Sequence, residues 1–111
     1  MTIRKGRKRE TSAPASVPHR PHLLEWLRDP ANAVAYVEAA LGEGDSIGLM
    51  QALRNVADAQ GGIAVVAERA GLSRETLYRT LSKRGNPQLI SLTRILGATG
   101  LRLSVTHAHR N

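Results

Sequence analysis

Ile63-Ala-Val-Val-Ala67-Glu-Arg-Ala70-Gly71-Leu-Ser73-Arg-Glu-Thr-Leu77-Tyr-Arg-Thr-Leu81 reads as two short helices set at an angle around a tight turn. Two crossing helices need a small residue where they touch, and Ala67 supplies it. They need a residue that accepts positive φ four positions later, and Gly71 has no Cβ to clash there. Val66, Ala70, Leu72 and Leu77 fall where apolar contacts would hold the pair to a core. Ser73 follows the turn and is placed to cap the second helix. This is the pattern of a helix-turn-helix, whose second helix presents polar side chains to the major groove of DNA. Arg74, Glu75, Tyr78 and Arg79 are available on that helix, with Thr76 beside them, and Ser73 at its start is expected at the DNA as well. Arginine pairs with guanine, and glutamate accepts from cytosine. Tyr78 and Lys83 are expected at the DNA backbone, with Arg84 and the Asn86 loop touching phosphate, which anchors without specifying sequence. Many domains of this type start their first helix with a phosphate-binding Gln, whereas this chain has Ile63. The competing reading is a plain helical hairpin with a solvated charged face.

Downstream, Gly85-Asn86-Pro87 reads as a loop, with Asn86 as cap and Pro87 in the first turn of a helix running to about Thr99. Leu89, Leu92, Ile95 and Leu96 are its expected core face, and Gly100 its end. Residues 101–106 then alternate, with Leu101, Leu103 and Val105 apolar and Arg102, Ser104 and Thr106 polar. That is a strand pattern. A lone strand leaves its backbone groups unpaired, so this one is expected to pair with a second copy or a partner protein.

Upstream, His22 to Arg28 is a short helix candidate, with Leu23, Leu24 and Leu27 on one side beside Trp26. Asp29-Pro30 is a helix start. The helix should run from Pro30 to about Leu41, with Val34, Val37 and Leu41 on one face and Ala33 and Ala40 beside them. Gly42 and Gly44 stop it. Asp45 or Ser46 caps the next helix, whose face is Ile47, Met50, Leu53, Val56 and Ala57. Gly61-Gly62 ends that helix. The fold class is therefore mainly α: a five- to six-helix bundle with a short C-terminal β-strand.

Composition bounds the function. The chain has 111 residues, enough for one domain and a tail. Phe is absent and only one Trp and two Tyr are present, so the core must be built from Leu, Val, Ile and Ala. No cysteine is present, which excludes disulfides and thiolate metal sites and fits a reducing cytoplasm. No apolar run approaches the roughly 18 residues needed to span a bilayer. The net charge of +7 suggests a polyanionic partner, but its distribution says more. Residues 1–21 carry six Lys/Arg and one Glu, residues 22–60 two Arg and six Asp/Glu, and residues 61–111 eight Lys/Arg and two Glu. Two basic ends around an acidic middle imply two different partner surfaces. Residues 1–21 mix charge, Ser, Ala and Pro without apolar periodicity and read as a disordered basic arm. The domain is then 22–106, with 107–111 a flexible C-terminus.

Three runs together resemble a known family. They are Asp29-Pro-Ala-Asn-Ala-Val-Ala-Tyr36 through Asp45, Ala70-Gly-Leu-Ser-Arg-Glu-Thr-Leu-Tyr-Arg-Thr-Leu-Ser82 with Gly85-Asn-Pro87, and Gly100-Leu-Arg-Leu-Ser-Val105. They look like the "probable addiction module antidote protein" family over about residues 23–106. The resemblance implies an antitoxin with a lambda-repressor-like helix-turn-helix. It also implies a RelE-like toxin as partner and repression of the shared operon by a homodimer on double-stranded operator DNA. The acidic segment agrees: Glu25, Asp29, Glu38, Glu43 and Asp45 are available to a basic toxin, although Asp29 and Asp45 are better explained as caps. Leu23, Leu24, Trp26, Leu27, Tyr36 and Glu38 are the expected toxin contacts, and Leu101, Leu103 and Val105 the expected dimer strand.

Catalysis has little support, since no nucleophile sits in a recognisable arrangement, and neither cofactor nor metal is expected. His19 with His22, and His107 with His109, are near-terminal pairs that read as solvated side chains. Two rival functions stand beside the antitoxin. One is a free-standing lambda-repressor-like regulator without a toxin partner; the other is a nucleic-acid binder using charge alone.

Overall fold

The computed structural model describes residues 20–82 and 84–108. Six helices follow in order: α1 (Arg20–Leu27), α2 (Pro30–Gly42), α3 (Ser46–Ala59), α4 (Ile63–Ala70), α5 (Arg74–Thr80) and α6 (Leu89–Ala98). The helix starts follow from the local sequence. Asp29 accepts a hydrogen bond from the Ala31 N–H at 3.0 Å, with Pro30 in the first turn of α2. Asp45, rather than Ser46, caps α3 by accepting from the Ile47 N–H at 3.0 Å. Asn32 donates to the Trp26 carbonyl at 2.9 Å, a group at the end of α1 that also accepts from the Asp29 N–H at 3.3 Å.

α3 is the central helix. It packs against α1, α2 and α4, while α4 carries α5 and α6 on its other sides. Met50, Leu53, Val56 and Ala57 recur at helical spacing on α3 and are buried. They meet Leu27 from α1, Ala33 and Val37 from α2, Val66, Ala67 and Ala70 from α4, Leu77 and Leu81 from α5 and its end, and Ile95 and Leu96 from α6. Each of these is an aliphatic side chain or alanine, as the scarcity of aromatics requires. Truncating a fully buried leucine such as Leu77 to alanine would cost about 2–5 kcal/mol.

A polar network crosses this core. Asn55 is buried on α3. It donates to the Tyr36 hydroxyl at 2.8 Å and accepts from the Arg20 guanidinium at 2.7 Å and from Gln51 at 3.2 Å. Arg20 also pairs with Asp58. One buried amide thus joins α1, α2 and α3 with its hydrogen-bonding groups satisfied.

Several expectations are corrected. α1 opens at Arg20, two residues before the expected start, because Arg20 is tied to α3. α6 opens at Leu89 with Gln88 as cap, not at Pro87 behind Asn86. Its buried face starts a turn late, at Leu92, so Leu89 is 70% exposed rather than part of the core. Val34, Leu41 and Ile47, expected on core faces, are exposed. No strand forms among the described residues; residues 101–108 lack regular secondary structure in the single chain, where no neighbouring strand completes a ladder. Residues 1–19 of the expected arm, Lys83 and residues 109–111 lie outside the described residues.

Candidate nucleic-acid interface

The segment from Ile63 to Leu81 folds with the expected boundaries. α4 ends at Ala70, and Gly71 adopts a left-handed conformation at φ 73° and ψ 30°. An L-residue with a side chain would be strained there. The Leu72 N–H returns to the Ala67 carbonyl at 2.9 Å, which closes the turn. Ala67 and Val66 are buried beneath it, and Leu72 is half-buried. Ser73 then accepts from the Thr76 N–H at 3.0 Å and donates to the Thr76 hydroxyl at 2.8 Å. Both hydroxyls are therefore engaged in the cap.

Leu77 is the fully buried anchor of α5. With Leu77 turned inward, Arg74, Glu75, Tyr78 and Arg79 at positions i, i+1, i+4 and i+5 share the opposite, exposed face. Tyr78 is 63% exposed. Arg84 and Asn86 are exposed in the following loop, and Lys83 lies outside the described residues. The structure thus brings Arg74, Glu75, Tyr78 and Arg79 onto one surface, with Thr76 half-buried at its edge.

Two residues that sequence pattern did not single out hold this surface in place. Arg54, half-buried on α3, donates to the Leu81 carbonyl at the end of α5. Gly85 lies so close to α5 that an added Cβ would sit 1.8 Å from the Thr80 carbonyl oxygen. An arginine inside an otherwise apolar face of α3 was the available signal for the first. The second is a close backbone approach, which glycine alone permits.

The expected toxin contacts fall into different environments. Leu27 is fully buried and serves the core, so it is not available to a partner. Leu23, Leu24, Trp26 and Tyr36 are half-buried. Trp26 and Tyr36 pack edge to face with centroids 6.3 Å apart, and Tyr36 also accepts from Asn55. Glu25 and Glu38 are exposed. Leu101 packs half-buried against the core, whereas Leu103 and Val105 are exposed. His19 and His109 lie outside the described residues. Among those described, no group of three or more His, Asp or Glu is placed to hold a metal ion. No described helix is long and apolar enough to cross a membrane.

The family model for "Probable addiction module antidote protein" matches residues 20–107, which take in all six helices and the α5 surface. A protein of Haemophilus influenzae (strain ATCC 51907 / DSM 11121 / KW20 / Rd) described as "Uncharacterized protein" is 33% identical over 83 residues, 75% of this chain and 84% of that protein. No solved structure matches the chain. With most of its length matched from the first residue of α1 onward, the chain belongs to the probable addiction module antidote protein family, and its role is that of an antitoxin in an addiction module.

Proposed function

We propose that this antitoxin represses its own operon by binding double-stranded DNA through α5 as a homodimer, and that it neutralises a RelE-like toxin. The observation that carries the DNA reading is the single exposed face of Arg74, Glu75, Tyr78 and Arg79, set on a helix that a left-handed glycine turns away from α4. Arg74 and Arg79 provide donors for guanine edges, and Glu75 an acceptor for cytosine. Arg84, Asn86 and Lys83 follow at the end of α5 and supply phosphate contacts. A dimer sets two such helices in successive major grooves about 34–36 Å apart.

The toxin reading rests on family membership and on the acidic middle of the chain. Glu25 is exposed on α1 beside the half-exposed Leu23, Leu24 and Trp26, which offers a basic toxin both charge and apolar area. The test is co-expression with the adjacent reading frame. Co-purification of the two proteins and a gel shift on the upstream DNA are expected. A specific repressor should favour that DNA over random sequence by about 10³-fold or more. Equal affinity for both would leave charge-driven binding as the better account.

A further inference from the structure

We infer that Leu89 and Ile90, which open α6, form an apolar wedge that enters the minor groove of the bound DNA and bends it. This deepens the DNA reading above and rests on it. The two adjacent side chains stand open on the first turn of α6, 70% exposed at Leu89 and 60% at Ile90. The fold does not use them, since the buried face of that helix is Ile95, Leu96 and Ala98. Gln88 just before them is also exposed, and its side chain makes no hydrogen bond to the helix start. An exposed amide followed by exposed Leu and Ile is the chemistry of minor-groove readers, in which the apolar group slips between base pairs and partly unstacks them.

Position and charge name DNA as the partner. The loop leading into α6 is pinned to the end of α5. The Gly85 N–H donates to the Ser82 carbonyl at 2.8 Å, and the backbone of Gly85 lies so near Thr80 that no Cβ fits between them. Leu89 follows Gly85 by four residues and so stays within about 14 Å of it. With α5 in the major groove and Arg84 and Asn86 on the phosphates beside it, the next surface the chain reaches is the neighbouring minor groove. The sequence around the pair is cationic throughout. No carboxylate follows Glu75, whereas Arg79, Lys83, Arg84, Arg94, Arg102 and Arg110 do. A second copy of this surface or a basic toxin would be repelled by it, and the phosphates that border a minor groove are attracted. Unstacking is easiest at pyrimidine–purine steps, so the pair selects flexible sequence at positions that α5 does not touch.

The experiment is fluorescence energy transfer across the upstream DNA, labelled at both ends, with the full chain. The unaltered chain should bend this DNA by about 20° or more. Leu89→Ala with Ile90→Ala should abolish the bend and weaken binding by about tenfold, through lost apolar contact. Leu89→Met with Ile90→Leu keeps the apolar bulk and should keep the bend. Both sites are exposed, and circular dichroism checks folding. Replacing the pyrimidine–purine steps beside the α5 sites with an A-tract should weaken the unaltered chain more than the alanine variant. DNA left straight by the unaltered chain overturns the inference. So does a bend that survives the alanine pair, which would leave Leu89 and Ile90 to a protein partner. The repressor reading fails by a different result, equal affinity for upstream and random DNA. A straight complex that still favours the upstream DNA refutes the wedge alone.

Discussion

Arg54 on α3 donates a hydrogen bond to the carbonyl of Leu81, the residue that closes α5. α5 has only seven residues, and the helix whose backbone lies closest along it is α4. A helix that short is not stable in isolation, so its end needs a tie. Arg54→Ala removes the tie and leaves a carbonyl without its charged donor. A loss of about 1.5–3 kcal/mol in denaturant unfolding is expected. Operator affinity should fall as well, because the end of α5 is released. Unchanged stability would mean that solvent replaces the guanidinium at no cost.

Gly71 and Gly85 flank α5, and they should fail for different reasons. Gly71→Ala places a Cβ in open space but in a left-handed conformation at φ 73°. Its cost is backbone strain of about 1–2 kcal/mol. Gly85→Ala drives a Cβ into the Thr80 carbonyl oxygen at 1.8 Å. That contact cannot be relieved by a rotamer change, so the loop or the end of α5 must move, at about 1–3 kcal/mol. Thermal melts of the two variants give the stability losses. Amide exchange in residues 77–81 should distinguish them, with faster exchange in Gly85→Ala.

The contrast between these two glycines shows what was readable in the sequence. Gly71 sits in a local pattern, four residues after Ala67 and two before Ser73, and local geometry dictated the turn, the cap and both helices. Gly85 looked like an ordinary loop residue because its constraint comes from backbone five positions away in a folded turn. The Arg20–Asn55–Asp58 network spans 35 and 38 positions, and no periodicity announces such a contact. Apolar spacing placed Ile95 and Leu96 in the core correctly. It overextended that face to Leu89, since a helical stripe records which residues can be buried together and not where the neighbouring helix ends.

Arg74 is exposed in the first turn of α5 and free of the cap that engages Ser73 and Thr76. If it reads a base, Arg74→Ala should cost about 1–3 kcal/mol on the operator and relax preference at one position. Binding titrations on the operator, a single-position substitution series and random DNA measure this. An equal loss on all sequences would assign Arg74 to phosphate instead.

Residues 1–19 carry Arg4, Lys5, Arg7, Lys8 and Arg9 against a single Glu10. They join the fold at Arg20, which is held by Asn55 and Asp58 on α3. Arg54, the tie to the end of α5, lies four residues before Asp58 on the same helix face, about 6 Å along the axis. Arg20, the first described residue, is therefore tied to the same helix, α3, that holds the end of the helix assigned to DNA. The charges of residues 1–19 should add phosphate contacts without adding sequence preference. Each neutralised phosphate contributes about 0.9 to the slope of log affinity against log salt. Removing residues 1–19 should flatten that slope by up to about 4 per chain and weaken operator and random DNA by similar factors. Discrimination between the two DNAs, which the proposed function assigns to Arg74 to Arg79, should be unchanged. A salt slope identical with and without these residues would detach the arm from DNA binding; reduced discrimination would instead make it a reader of sequence.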